Sequence, residues 1–179
     1  MTSPKEKIGT LISKEELDKR IKELAAEISR DYAGRDLLLI GVLKGSFMFL
    51  ADLVRNLDYH VELDFMGTSS YGASTKTSGE VRITKDLERS LAGRNVLLVE
   101  DIVDSGLTLR YLVDTLRTRQ PASVRICTLL DKPARRRVRI SIDYYGFIIP
   151  NAFVVGYGLD YQEKYRGLPY VGVLEEYES

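Results

Sequence analysis

The sequence predicts an α/β fold with a mainly parallel sheet and helices on both of its faces. Continuous apolar runs alternate along the chain with segments whose apolar residues follow helical spacing. An uninterrupted apolar run is typical of a strand that is covered on both sides, as in parallel sheets. The 179 residues are enough for one domain with its own core, so we expect a single domain over 1–179.

The first helix is predicted from its start signal. Ser13 is followed three residues later by Glu16, which is the spacing of a capping box. The run DLLLIGVL (36–43) then predicts a buried strand, and GSFMFLADLVRNL after it predicts a second helix. Apolar residues recur at helical spacing in the first helix: Leu17, Ile21, Leu24, Ala25 and Ile28.

The middle of the chain repeats this alternation after a polar interruption. YHVELDFM (59–66) predicts a strand, whereas GTSSYGASTKTSG (67–79) is too polar to pack and is predicted to be a mobile loop. The segment SGLTLRYLVDTLRTR (105–119) predicts an amphipathic helix. Further strands are predicted in EVRITKDL (80–87), NVLLVED (95–101) and ASVRICTLLD (122–131). The residues from 141 to 179 are expected to form short strands and loops that close over the sheet as a small hood.

Composition narrows the possible functions. Lys plus Arg and Asp plus Glu balance at 26 each, which counts against a dedicated nucleic-acid-binding protein. The single cysteine, Cys127, lies in an apolar run, so an intramolecular disulfide is excluded and a core position is expected. No apolar signal region begins the sequence, and the longest uncharged apolar stretch, Leu37–Leu43, is far below the roughly 18 residues of a membrane span. We therefore expect a cytoplasmic protein with no membrane partner.

The most informative segment is VLLVEDIVDSGLTL (96–109). Glu100 and Asp101 end a buried strand, which is where parallel sheets bind ligands. Adjacent carboxylates repel unless they share a cation or a protic group such as a sugar diol. The turn Asp104–Thr108 then opens a helix, whose backbone N–H groups suit a phosphate. Together these features predict a site for a ribose 5-phosphate, although an isolated pair of acids would more often be a solvated strand end.

This segment resembles the phosphoribosyl pyrophosphate signature of the type I phosphoribosyltransferases. Four other segments are similar to the hypoxanthine-guanine branch of that family, and the likeness runs from about Ile12 to Leu174. The resemblance implies the type I phosphoribosyltransferase fold with a carboxyl-terminal hood. The similar segments are VLKGSFMFLADL (42–53), SSYG (69–72), LLDKPARR (129–136) and FVVGYGLDYQEKYRGLPYVGVL (153–174).

The resemblance implies a role for each residue of the acidic segment. Glu100 and Asp101 would face the ribose hydroxyls directly or through Mg²⁺. Asp104 would lie near N7 of the purine as the catalytic carboxylate, with helix capping as its alternative role. The 5′-phosphate would be held by Ser105, Gly106, Leu107 and Thr108. Some relatives have a lysine where Leu107 stands, so phosphate binding here would depend more on backbone N–H groups.

Binding of pyrophosphate is assigned by the resemblance to Lys44, Gly45 and Arg166. Asp160 is similar to a further Mg²⁺ ligand of the family, and the resemblance implies that it would also lie beside the purine.

The purine itself would be bound by three residues. Lys132 would donate to O6, Phe153 would stack on the ring, and Val154 would bond it through the backbone. A donor at Lys132 favours a 6-oxopurine over adenine. Strand core is the alternative for Phe153 and Val154, and a solvated surface position for Asp160 and Arg166.

The resemblance also implies Mg²⁺ as the cofactor and a closing loop that contains Ser70 and Tyr71. The expected substrates are phosphoribosyl pyrophosphate and a 6-oxopurine base, and the expected assembly is a homodimer or homotetramer. The choice among hypoxanthine, guanine and xanthine stays open.

Several other patterns carry less weight. ARRRVR (134–139) is interpreted as a solvated surface, and His60 has no second histidine or cysteine cluster for a metal site. GYGLDY (156–161) does not match a dinucleotide fingerprint. Two other functions stay open. An RNA-binding attenuator on the same fold would need a continuous basic face, and a receiver domain would not explain the phosphate turn after the acids.

Overall fold

The computed structural model describes residues 7–70 and 81–175. Two sheets are present in this part of the chain, one of six strands and one of three. The strands are β1 (Lys7–Ile12), β2 (Leu37–Leu43), β3 (Glu62–Ser70), β4 (Val81–Lys85), β5 (Asn95–Val103), β6 (Ser123–Asp131), β7 (Tyr144–Ile148), β8 (Val154–Val155) and β9 (Val171–Glu175). The helices are α1 (Lys14–Asp31), α2 (Phe47–Arg55) and α3 (Leu107–Arg117), and Pro133–Arg135 forms a single 3-10 turn.

The large sheet has the strand order β4-β3-β2-β5-β6-β7. Strands β3, β2, β5, β6 and β7 run parallel, and β4 at the edge pairs antiparallel with β3. The central strands β2 and β5 are buried along most of their length, as their apolar runs predicted. The predicted fold class, a mainly parallel α/β sheet, is confirmed.

Helices cover both faces of this sheet because successive strand side chains point to opposite sides. In β2, Leu37 and Leu39 pack with α1 and α2, whereas Leu38 and Ile40 pack with α3. Cys127 belongs to the first of these cores, and burial raises the pKa of its thiol well above the ordinary value. The predicted core position of this cysteine is therefore confirmed.

The first helix begins at the predicted capping box. The backbone N–H of Glu16 donates to Ser13 Oγ at 3.2 Å, and Glu16 Oε2 accepts from the backbone N–H of Ser13 at 2.8 Å. The five apolar residues that predicted the helix are all buried. No helix in the described ranges is both long and apolar enough to cross a membrane.

The small sheet is antiparallel, in the order β1-β9-β8. This sheet forms the hood, and it contains β1 from near the start of the sequence as well as β8 and β9. The hood was predicted to come mainly from 141–179. One strand of that range, β7, belongs to the large sheet instead. The short apolar segment that forms β1 carries no signal for its distant partner β9, so this pairing was not visible in the sequence.

The polar segment 67–79 was predicted to be a loop, and for residues 67–70 this is wrong. They extend β3 and pair with β4, Gly67 with Lys85 and Ser70 with Val81. An antiparallel edge hairpin can keep polar side chains in water, so polarity alone does not exclude a strand there. The remainder of the predicted loop, including Tyr71, lies outside the described residues.

The hood is anchored to α2 through Tyr157. This residue has a positive φ of 50° and lies between Gly156 and Gly158, which have φ values of 92° and 100°. Its side chain is buried, and its hydroxyl donates a hydrogen bond to the carboxylate of Asp52 on α2. The loop therefore turns Tyr157 inward onto the helix.

We expect Tyr157→Phe to lower the free energy of unfolding by about 1–2 kcal/mol, because a partly buried carboxylate loses a hydrogen-bond donor. Urea unfolding measures the change. Tyr145→Phe is the matched control, because Tyr145 is 43% exposed. Equal stability of the two variants would contradict the anchoring role.

Candidate active site

The carboxyl ends of β2, β5 and β6 meet at one edge of the large sheet, because parallel strands all end on the same side. The segments after these strands and the hood enclose three adjoining cavities. The central cavity, of about 300 Å³, is lined by Val42, Leu43, Lys44, Gly45, Thr68, Glu100, Asp101, Ile102, Thr108, Asp160 and Arg166. The turn cavity, of about 100 Å³, is lined by Glu100, Ile102, Val103, Asp104, Ser105, Gly106, Thr108 and Leu109. The hood cavity, of about 430 Å³, is lined by Asp101, Ile102, Asp104, Lys132, Arg135, Phe153, Val154, Leu159 and Asp160.

Two carboxylates lie where these cavities join. Glu100 is only 7% exposed, and burial together with the neighbouring charge of Asp101 raises the pKa of its carboxyl well above the usual value. Burial also raises the pKa of Asp101 to about 6, although its carboxylate accepts the backbone N–H of Ile102 at 2.7 Å and lies near the positive charge of Arg166. The surrounding protein therefore leaves much of this negative charge uncompensated.

Gly45 brings the turn after β2 into direct contact with Asp101. A Cβ atom at position 45 would lie 1.7 Å from Asp101 Oδ2, so only glycine fits beside this carboxylate. Gly158 of the hood makes an equally close approach, because a Cβ there would lie 2.1 Å from the backbone oxygen of Gly45. The peptide bond between Leu43 and Lys44 is cis, and Lys44 Nζ lies 3.3 Å from Glu163 Oε2.

The turn between β5 and α3 has the form expected for an anion site. Helix α3 begins at Leu107 after Gly106, which has a positive φ of 82° and provides no side-chain cap. The first N–H groups of α3 carry the positive end of the helix dipole. Leu107 does not line the turn cavity, and its N–H lies 3.3 Å from Ser105 Oγ. Its contribution to this turn is therefore a backbone group and not a side chain.

Asp104 is not a helix cap, since the cap position belongs to Gly106. Its carboxylate borders the hood cavity, with Oδ2 3.8 Å from Lys132 Nζ and Oδ1 3.4 Å from Arg135 Nε. Within the described ranges, Oδ1 is buried without a hydrogen-bond partner. The arrangement leaves a carboxylate oxygen that can accept a proton or a hydrogen bond from a ligand.

Lys132 is almost fully buried, with 5% exposure, and its ammonium donates to the backbone oxygen of Ala152 at 2.9 Å. Phe153 is 53% exposed at the wall of the same cavity, and its ring meets Tyr161 edge-on with centroids 5.6 Å apart. The backbone N–H of Leu174 in β9 donates to Phe153 O. In an antiparallel pair, hydrogen-bonded and non-hydrogen-bonded residue pairs alternate, so the next residue, Val154, directs its backbone N–H and C=O away from β9. These groups point to the free edge of the small sheet.

Asp160 and Arg166 form the hood side of the central cavity. Arg166 Nη1 donates to Gly158 O at 2.7 Å, and Nη2 lies 3.2 Å from Asp160 Oδ1. The backbone N–H of Glu163 donates to Asp160 Oδ2 at 2.8 Å. Arg166 Nε is buried and has no hydrogen-bond partner in the described part of the chain, so it is one donor that a ligand could use.

The structure thus brings together the predicted site residues from four separate segments. Ser70 ends β3, whose Thr68 lines the central cavity, while Tyr71 is outside the described residues. Sequence reasoning missed Thr68 and Ile102, and Ile102 lines all three cavities. The available signal for Ile102 was that it lies between acidic residues at the end of a predicted strand. Nothing in the sequence distinguished Thr68 from its polar neighbours.

The interpretation of ARRRVR as a solvated surface is wrong for Arg136. This residue is mostly buried at 20% side-chain exposure and forms an ion pair with Asp131. Arg135 is exposed, with 59% side-chain exposure, although it lies beside Asp104 at the wall of the hood cavity. Both arginines contact Asp104, at the start of the turn that precedes α3.

The carboxylates at this edge suit a divalent cation that keeps some of its water ligands better than one coordinated entirely by protein side chains. Among the described residues, no group of three or more Asp, Glu, His or Cys side chains could by itself hold a metal ion. Mg²⁺ is commonly bound by one or two carboxylates together with water and substrate phosphates. The raised pKa values of Glu100 and Asp101 indicate negative charge that a cation at this edge would offset.

Comparison with known proteins agrees with this geometry. The Phosphoribosyl transferase domain family matches residues 11–162. The hypoxanthine-guanine phosphoribosyltransferase of Bacillus subtilis is 56% identical over 171 residues, covering 94% of this chain and 95% of that protein. The Bifunctional protein TilS/HprT of Listeria innocua is also 56% identical, over 165 residues and 92% of this chain, but the chain spans only 26% of its length.

A solved structure shows the same fold. The hypoxanthine phosphoribosyltransferase of Staphylococcus aureus superimposes with a TM-score of 0.89 at 47% identity, covering 93% of this chain and 90% of that one. The fold and the site define a phosphoribosyltransferase, and the chain belongs to that family. Within the family it belongs to the hypoxanthine-guanine phosphoribosyltransferases.

The buried carboxylate of Asp101 predicts a pH-dependent stability. Its pKa is about 6 in the folded protein but about 3.9 in an unfolded chain, so the folded state holds the proton more tightly. The stability contributed by this proton is complete below about pH 4 and is lost as the pH rises through 6. Asp101→Asn cannot ionise, so above pH 6 it should be more stable than the unaltered protein by about 1–3 kcal/mol.

Urea unfolding between pH 4 and pH 8, in buffer with a metal chelator, measures this difference. The advantage of Asp101→Asn should shrink toward zero at the acidic end. Asp58→Asn serves as the control because Asp58 is exposed. A difference in stability that does not change with pH would contradict the prediction.

Proposed function

We propose that this protein is a purine salvage enzyme that converts hypoxanthine or guanine, with phosphoribosyl pyrophosphate, to IMP or GMP and pyrophosphate. The observation that carries this proposal is the row of three cavities that Ile102 lines. Their sizes and linings suit the 5′-phosphate of the donor, its ribose and pyrophosphate, and the purine base. Membership of the hypoxanthine-guanine phosphoribosyltransferases supports the same reaction.

The donor would extend from the turn cavity into the central cavity. Its 5′-phosphate would bind the backbone N–H groups and hydroxyls of Ser105–Thr108, at the positive end of α3. Its pyrophosphate would lie along Lys44 and Gly45, opposite Arg166, whose Nε is free to donate. The ribose would then lie over Glu100, which lines both cavities, and over Asp101, which lines the central one.

The purine would occupy the hood cavity. The ammonium of Lys132 is held by Ala152 O, and from there it could also donate to a carbonyl oxygen at position 6 of the ring. An adenine amino group would meet a donor at this place, so a 6-oxopurine is favoured. Phe153 offers an exposed aromatic face for stacking, and Val154 lines the same cavity.

The reaction breaks the bond between C1 of the ribose and the pyrophosphate oxygen and forms a bond from C1 to a purine nitrogen. Positive charge develops on the sugar ring as pyrophosphate leaves with the bonding electrons. Glu100 and Asp101 would stabilise this charge, since their carboxylates line the cavity in which the sugar is proposed to bind. Asp104 Oδ1, which has no hydrogen-bond partner among the described residues, would accept the proton that the purine loses.

The proposal includes a bound Mg²⁺, which would be held by Glu100 or Asp101 through water and by Asp160 on the hood side. Bound there, it would supply positive charge that offsets the pyrophosphate and the protein carboxylates. Closure of the loop at Ser70 and Tyr71 over the site would exclude water from the sugar cation. A homodimer or homotetramer and a cytoplasmic location remain predictions.

The direct test is an absorbance assay with purified protein, phosphoribosyl pyrophosphate and Mg²⁺. Hypoxanthine, guanine, xanthine, adenine and uracil are supplied separately. We expect turnover with hypoxanthine and guanine, and none with adenine or uracil. Turnover with uracil alone, or with no base, would overturn the proposed function.

Asp104→Asn should lower kcat by about 100-fold or more, because general acid–base catalysis by one side chain contributes roughly 10²–10⁴ in rate. Binding of phosphoribosyl pyrophosphate, measured by calorimetry, should change far less. Asp114→Asn is the control, since it makes the same substitution at a half-exposed residue of α3. An unchanged kcat in Asp104→Asn would remove this residue from the chemistry.

A further inference from the structure

The turn that precedes α3 is held from behind by the segment after the 3-10 turn. Arg136 Nε donates to the backbone oxygen of Asp104 at 3.2 Å, and the backbone N–H of Arg137 donates to the backbone oxygen of Ser105 at 2.9 Å. The N–H of Val138 lies 3.4 Å from the same oxygen of Ser105. Two successive carbonyl groups of the turn are therefore directed toward residues 136–138.

These contacts determine which way the N–H groups of the turn point. In a planar trans peptide the N–H is directed opposite to the C=O. The carbonyls of Asp104 and Ser105 face Arg136 and Arg137, so the N–H groups of Ser105 and Gly106 face the other way. That side is the turn cavity, which residues 136–138 do not line.

The same segment also limits the space behind Gly106. A Cβ at Gly106 would lie 3.1 Å from Arg136 Cδ and 3.1 Å from Val138 Cγ2, and the φ of this glycine is +82°. The turn therefore cannot relax backwards without displacing residues 136–138. Its N–H groups are held in place before any ligand arrives.

Arg136 can do this because its own position is fixed by a second partner. Its guanidinium forms an ion pair with Asp131, the last residue of β6, and the two side chains are only 20% and 15% exposed. Asp131 is in turn held by the sheet, since it pairs with Val103 of β5 and Ile148 of β7. The arginine thus links the end of β6 to the backbone of the turn that precedes α3.

We propose that Arg136 and Asp131 are positioning residues for the 5′-phosphate: through the bond from Arg136 Nε to Asp104 O they orient the N–H of Ser105 toward the turn cavity without touching the ligand, beside the N–H of Gly106 that the backbone of Arg137 directs there. This inference rests on the proposed function. It matters more here because Leu107 supplies no cation, which leaves the phosphate dependent on correctly directed backbone donors.

Calorimetry with two ligands tests the proposal. IMP carries the 5′-phosphate, whereas pyrophosphate would occupy the central cavity. Arg136→Ala should weaken IMP binding by about 10-fold or more, the effect of losing a hydrogen bond from a charged group, and leave pyrophosphate binding within about twofold. In turnover assays KM for phosphoribosyl pyrophosphate should rise while KM for hypoxanthine stays nearly constant.

Arg136→Lys should restore part of the IMP affinity, because a lysine can reach one of the two partners but not both. Asp131→Asn should give the same selective loss on a smaller scale, and it keeps the proposal testable if Arg136→Ala does not fold. Arg139→Ala is the control, since it removes a charge from an exposed residue of the same basic run. It should leave both affinities unchanged.

The outcomes separate the two claims. If the unaltered protein binds neither ligand, the proposed function fails. If it binds both and the substitutions at Arg136 and Asp131 leave IMP binding within about twofold, the positioning role is overturned. An equal loss of IMP and pyrophosphate binding would also overturn it, because general damage to the fold would then explain the result.

Discussion

The structure depends on keeping two carboxylates at the end of a buried strand. Glu100 and Asp101 are raised in pKa by burial, which means that folding holds them where their charge is unfavourable. Charged groups in such positions are often functional, and in the proposed reaction these two would face a sugar that becomes cationic and a divalent cation. The other parts of the site supply the positive charge and the N–H donors that this edge lacks.

Close contact between backbones is the second requirement, and glycines provide it. Gly45 allows the turn after β2 to touch Asp101, and Gly158 allows the hood to touch Gly45. The turn after β2, the end of β5 and the hood are thereby held in contact, although they are far apart in the sequence. Because Tyr157 beside Gly158 is anchored on α2, the hood and the turn after β2 share one support.

Much of the site could be recognised in the sequence because its residues follow strands in short, chemically distinctive turns. The acids of β5 and the hydroxyls after them lie within nine residues, so local spacing was sufficient. The roles of Thr68, Arg135 and Arg136 could not be recognised in this way. Thr68 lies in a polar segment that forms an edge strand, and the two arginines look like a solvated basic run until the chain reverses at Pro133.

The sequence by itself determined the alternation of strands and helices, the buried position of the acids and the start of α1, because each follows from local periodicity and capping. Only the tertiary structure decided the pairing of β1 with β9 and the strand order of the large sheet. It also decided the contact of Arg136 with Asp104, across 32 residues of sequence. These features arise from contacts between segments far apart in the chain, and their energies depend on how whole surfaces pack.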